Sequence, residues 1–184
     1  MPIISKAKFI SPTLVIQIFV LPALNAQQGN VALGTPLELV VASGMAQPQR
    51  TMLLDTARLF YQFWNTGDTA TLNQAVSPNF TDHDLPPGRP QGPTGPAFAI
   101  RQFKAIVPDL QCDVTQQIIA QDRVISHLRF RGHFNGSLGN LKGQGQAIDF
   151  VATDILRIED GHITDNWHIE DNLTFLRQIG AVAP

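Results

Sequence analysis

Five histidines are the groups best suited to moving protons near neutral pH. All five fall in the middle and C-terminal parts of the chain: His83, His127, His133, His162 and His168. Polar residues surround them, with Asp82 and Asp84 flanking His83 and Glu170-Asp171 just past His168. Metal-site spacing is missing. No His-x-x-x-His or Glu-plus-His helical pair occurs, and no metal is expected. Nucleophile motifs are missing as well. There is no Gly-x-Ser-x-Gly elbow. Cys112, the single cysteine, sits in an apolar-edged strand and reads as a packed thiol. Gly139, Gly143 and Gly145 lack the strand-to-helix switch of a phosphate loop. What remains is acid/base chemistry by carboxylates and imidazoles, with no cofactor.

Strand parity narrows the candidates, because alternate residues share a face. Ile148, Phe150, Ala152, Asp154 and Leu156 form one row in which Asp154 is the lone carboxylate. If that row faces the interior, Asp154 is either a group with perturbed acidity, fit for acid/base work, or a buried structural carboxylate satisfied by its neighbours. On the next strand Asn166, His168 and Glu170 share one face, and Ile163, Asp165, Trp167 and Ile169 the other. The two strands meet at Glu159-Asp160-Gly161, a hairpin turn of the Asp-Gly kind. Pairing symmetrically about Asp160 sets Asp154 opposite Asn166 and diagonal to His168, so a carboxylate, an amide and an imidazole share a small area.

The elements that must hold these groups are legible from periodicity. Apolar residues recur at helical spacing from Gln49 to Asn65, closed by Gly67, with Asp68 able to cap a second helix over Thr69 to Val76. Ser77-Pro78 breaks that helix, and Leu85 to Pro96 is a loop rich in proline and glycine. A third helix runs from Ala97 to Ile106, closed before Pro108. Four strands follow over Leu110–Ala120, Val124–Phe134, Gln146–Ile158 and Ile163–Ile169, then a short closing helix over Leu173–Ile179. Helices followed by an antiparallel meander give an α+β class, with a pocket between the two layers. The net charge is −2, which leaves no basic field for nucleic acid.

The first 49 residues differ from the rest. They carry three charged residues (Lys6, Lys8 and Glu38), and 26 of the 49 are hydrophobic. Lys6 and Lys8 form a basic start, Phe9 to Leu24 is mostly apolar, and Ala26 ends a run suited to cleavage. Residues 1–26 therefore read as a signal peptide, 27–48 as a linker and 49–184 as the domain. A second small-residue exit at Ala42-Ser-Gly-Met-Ala46 leaves the cleavage position open. Export implies a secreted or periplasmic protein that meets the membrane only in transit.

At this point several blocks, in order, resemble one family. They are Phe60 through Asp68, Val76 through Asp84, Ile106-Val-Pro-Asp109, Arg131-Gly-His133, Asp154 through Gly161, and Trp167 through Gly180. Together they resemble the SnoaL-like polyketide cyclases of the nuclear transport factor two-like superfamily, over about 50 to 182. The resemblance implies a curved antiparallel sheet forming a cone-shaped half-barrel around about three N-terminal helices, with a short C-terminal helix. It also implies frequent homodimers through the outer sheet face, where parity sets Trp167. Characterised members close a ring of a polyketide ester by aldol chemistry without a cofactor, one carboxylate taking an acidic α-proton. The chain departs from that pattern. His168 stands where the cyclases have their acid/base aspartate, while Asp154 and Asn166 stand at positions of pocket histidines. The expected catalytic pair is therefore His168, as base or acid, and Asp154, orienting it. Asn166, Asp82, His83, His133 and Trp64 are the expected lining, with packing the other reading of Trp64, capping of the strand end that of His83, and a structural hydrogen bond across the sheet the favoured reading of His133. The partner is a small hydrophobic carbonyl or ester compound. A second class stays open: an exported protein of the same fold that binds a small ligand without turning it over.

Overall fold

A computed structural model of the chain describes residues 32–183. The expected signal peptide lies outside the described residues. The first described element is strand β1, Glu38–Val41, inside the segment expected to be a linker. It pairs in parallel with strand β3, Gln111–Ala120, and Leu37 N–H and Ala42 N–H donate to Val114 and Ile119 carbonyls on either side. Helix α1 spans Gln47–Thr66, with a proline in its first turn, where the missing N–H costs nothing. Its apolar stripe buries Leu53, Ala57, Phe60, Tyr61 and Phe63. Gly67 ends it in the left-handed conformation, its N–H on the Phe63 carbonyl. Asp68 caps helix α2, Thr69–Ala75, by accepting from Ala70 N–H, as its position suggested.

Strand β2, Val76–Asp82, follows at once. The Ser77-Pro78 pair does stop the helix, but it does not stop regular structure. Pro78 is tolerated because β2 is an edge strand. Helix α3 spans Thr94–Ile106. Then come β3, β4 (Arg123–Phe134), a small ribbon of β5 (Ser137–Leu138) and β6 (Leu141–Lys142), β7 (Gln146–Glu159), β8 (His162–Glu170) and helix α4 (Asn172–Gln178).

The main sheet has the order β1-β3-β4-β7-β8-β2. Its centre is the expected antiparallel meander. Both edges are parallel additions, β1 on β3 and β2 on β8, so the sheet is mixed. The α+β fold, a curved open sheet with helices on its inner face, is the one expected. The core fills that face with Phe60, Phe63, Leu128, Phe130, Phe150, Leu156 and Ile163 among others. The row Ile148, Phe150, Ala152, Asp154, Leu156 and Ile158 on β7 is buried throughout. That face assignment is what makes Asp154 informative.

The β7–β8 register differs from symmetry about Asp160, for two local reasons. The turn is a two-residue loop, Asp160-Gly161, with both φ values positive (48° and 74°), so Glu159 faces His162. Ile158 then faces Ile163 while Arg157 faces Asp165, leaving Thr164 as an extra residue. This bulge changes which face the strand shows. Ile163 is buried with the core, and beyond the bulge Asn166 points inward too. Asp154 therefore faces His168 directly, and Leu156 faces Asn166.

Candidate active site

A polar row crosses the apolar inner face. The pairs Gln117–Ser126, Ser126–Asp154 and Asp154–His168 are each direct neighbours, on β3, β4, β7 and β8. Gln117, Ser126 and Asp154 are at most 2% exposed. Gln117 Nε2 donates to Ser126 Oγ at 3.0 Å. The row ends in a tightly held pair, His168 Nδ1 lying 2.7 Å from Asp154 Oδ1. Asn166 Nδ2 donates to the same oxygen at 3.2 Å, and Tyr61 Oη on α1 donates to Oδ2 at 3.1 Å. Three donors thus satisfy both oxygens of a carboxylate that would otherwise be costly to bury. Asn166 Oδ1 has no partner among the described residues.

His168 has a second carboxylate on its far side. Its Nε2 lies 3.5 Å from Glu170 Oε2, and its backbone N–H donates to Asp84 Oδ2 at 3.1 Å. Burial alone would lower the pKa of this imidazole. The charge and hydrogen bond of Asp154, reinforced by Glu170, outweigh burial and raise it to about 10. His168 is therefore an imidazolium at neutral pH. Burial works against ionising Glu170 too, yet the His168 hydrogen bond and charge, with help from Arg89, hold it below the usual carboxylate range. Burial, then the Asp154 charge, pushes Tyr61 well up, so it keeps its proton and stays a donor.

Glu170 and His168 open onto a cavity walled by Trp64, Ala99, Phe103, Phe130 and Phe150, with Arg89 as its third polar group. The open space among these side chains, counted out into the solvent at its mouth, is about 360 Å³. The rings pack in offset and edge-on contacts, Phe130 on Phe150 at 5.3 Å and Trp64 against Phe130 at 6.0 Å. Arg89 comes from the Pro/Gly loop. Its Nη1 reaches Asp82 Oδ2 at 3.4 Å, and Gln91 pins the Asp82 backbone through both its N–H and its carbonyl.

The sequence-derived site residues divide in two. His168 and Trp64 line the cavity, Asp154 and Asn166 lie behind His168, and buried Asp82 steers Arg89. His83 and His133 do not join them. Beyond Asp82 the chain leaves the sheet, and His83 stacks on Trp167 (4.3 Å between centroids, 3° between planes) with Nε2 on Asp165. Trp167 belongs to the outer face, as parity indicated, with Arg123 and Arg157 near its ring. His133 alternates with buried Phe134 on β4 and so points outward, paired with Asp109 at 2.7 Å. Tyr61, Ser126, Gln117, Arg89 and Glu170 were missed. Parity held a signal for two of them: Ser126 interrupts the buried row Val124, Leu128, Phe130, and Glu170 shares the His168 face. Among the described residues, no group of three or more His, Cys, Asp or Glu side chains is placed to hold a metal ion.

The curved open sheet with helices on its inner face defines the structural class, and comparison with known proteins places the chain in one family of that class. The profile of the SnoaL-like polyketide cyclases matches residues 54–179, and the chain belongs to that family. It is 38% identical to a Bacillus cereus structure named as a polyketide cyclase, over 82% of this chain and 95% of that one, with a TM-score of 0.75. It is 26% identical to IdmH from Streptomyces antibioticus, also named as a polyketide cyclase, over 70% of this chain and 98% of that one, with a TM-score of 0.64. TsrD from Streptomyces laurentii is 25% identical over 75% of this chain and 99% of that one, with a TM-score of 0.63. No curated protein matches the chain significantly.

Proposed function

We propose that the chain is an acid/base enzyme of SnoaL-like type that needs no cofactor and acts on a small hydrophobic carbonyl or ester compound by cyclase- or isomerase-like proton transfer. One observation carries the reading: a histidine held 2.7 Å from a buried carboxylate and lining an aromatic cavity. Asp154 fixes the ring through Nδ1 and keeps it charged. His168 is then the acid of the pair rather than its base, because it already holds the proton at neutral pH. Its charge, close to a substrate in a largely apolar space, favours electron density building on the substrate as a proton leaves. Membership of a family that includes polyketide cyclases supports the same reading. A His168→Ala protein should lose about a hundredfold or more in kcat/KM on a confirmed substrate, the range ascribed to positioned acid/base groups. Unchanged kcat/KM would remove the assignment.

We propose further that the chain is exported and that cleavage follows Ala26 rather than Ala46. The support is local: β1 lies between those positions and is paired with β3.

A further inference from the structure

We infer that Glu170 is the proton acceptor of this pocket and Arg89 the group that holds the enolate oxygen, for small ketones or esters that carry an aromatic ring on an acidic α-carbon. The inference rests on the acid/base reading above and supplies its missing base. Three polar side chains line the cavity, Arg89, His168 and Glu170, and Asp154 is not among them. Both Asp154 oxygens are occupied by Tyr61, Asn166 and His168, so this carboxylate sits behind the imidazole. Glu170 is the carboxylate that faces the cavity. It lies two residues beyond His168 on the same strand face, with its side chain 21% exposed. Its contact to His168 Nε2 is a long 3.5 Å and leaves the other oxygen free of His168.

Arg89 supplies the complementary charge. Its one side-chain hydrogen bond among the described residues is to Asp82, itself 6% exposed and fixed by Gln91. The guanidinium has five N–H donors, and this anchor uses one. The remaining donors belong to a group that lines a space walled mainly by aromatic rings.

The proton step balances without a co-reactant. A Glu170 oxygen takes a proton from the α-carbon, and the C–H electron pair becomes the C=C bond. The carbonyl π pair moves to oxygen, and Arg89 N–H groups hold the resulting enolate. Return of the proton from the Glu170 carboxyl to either end of the enolate regenerates the enzyme. Aromatic walls lower the polarity around the reacting atoms and so strengthen both charge contacts.

The test pairs 2-tetralone with 2-naphthol, a ketone and a phenol that mimics its enol. Deuterium entry at the ketone α-carbon in D₂O is followed by mass spectrometry, and 2-naphthol binding by fluorescence. Glu170→Gln should slow exchange at least about a hundredfold while 2-naphthol binding holds or tightens, because a negative charge has left the cavity. Glu170→Asp should keep part of the rate. Arg89→Met should weaken binding of the 2-naphtholate anion about tenfold or more, and Arg89→Lys should recover part of it. Wild-type exchange rates in Glu170→Gln, with exchange lost in His168→Ala, would overturn the Glu170 assignment and leave the acid/base reading standing. A wild-type protein that binds 2-naphthol but exchanges no deuterium would overturn both. A wild-type protein that does not bind 2-naphthol would overturn the substrate class.

Discussion

The proton on His168 joins the proposed chemistry to the stability of the fold, and one measurement reads the second of these. In the unfolded chain an imidazole releases its proton near pH 6.5, while in the folded protein Asp154 and Glu170 hold it to about 10. The stabilisation is complete below about pH 6.5 and is lost as pH rises toward 10. Between these limits the folded state holds about one more proton than the unfolded state. Stability should therefore fall by about 1.4 kcal/mol per pH unit. Urea melts between pH 7 and 8.5 should show this slope, and His168→Gln should flatten it. Above about 8.5 Cys112 adds to the decline, and above about 10 Tyr61 does, because burial and the Asp154 charge raise both. A slope that persists unchanged in His168→Gln would mean the proton sits elsewhere. At this scale the sequence was informative where a residue broke a pattern. Asp154 stood out in an apolar row, and the row is buried. Tyr61 did not stand out, because a tyrosine on the apolar stripe of a helix looks like core until its hydroxyl is seen on a carboxylate. Arg89 was hidden for another reason: loop residues have no period that says where they point.

The elements were readable to within a few residues where hydrophobic period is strong, along α1 and the four long strands. They were not readable where pairing partners are distant. β1 and β2 are edge strands whose neighbours lie far along the chain, and parallel pairing leaves no turn signal. The largest consequence came from one extra residue. With Thr164 bulged out, the β8 residues past Asp165 show the opposite face to the one a continuous strand would show. Both Ile163 and the Asn166, His168, Glu170 row can then face inward. Deleting Thr164 removes the extra residue, so plain alternation should return with the facing unchanged: Ile163 in, Asp165 out, then Asn166, His168 and Glu170 in. The deletion variant should therefore keep the proposed proton-transfer activity and its far-ultraviolet circular dichroism spectrum. A folded deletion variant that loses the activity would show that His168 depends on the local bend the extra residue gives β8, and not on facing alone.

Across the whole molecule, the decisive feature is how far toward the N-terminus the domain extends. Composition suggested a leader and a linker before the first helix, because residues 1–49 are unusually apolar and poor in charge. Within that stretch, however, β1 completes the sheet edge, and Gly34 is packed onto helix α1. Its φ is +79°, and a Cβ there would lie 2.5 Å from the Arg58 carbonyl oxygen, so the backbone approaches closer than a side chain allows. β1 itself buries little, with Leu39 and Val40 both more than 40% exposed. Its contribution is mainly a ladder of backbone hydrogen bonds, each worth about 1 kcal/mol net, and cover for an edge that would otherwise be open to pairing with other chains. The two possible cleavage sites therefore predict different proteins. A chain beginning at Gln27 keeps the ladder and Gly34. A chain beginning at Gln47 loses both, should be about 1–3 kcal/mol less stable, and should aggregate through the bared edge of β3. Intact mass of the protein recovered outside the cytoplasm would test the proposed export and give the start directly, and melts of the two purified forms would give the difference. A mature start at Gln47, with a melting temperature equal to that of the longer form, would return residues 27–46 to the role of a spacer.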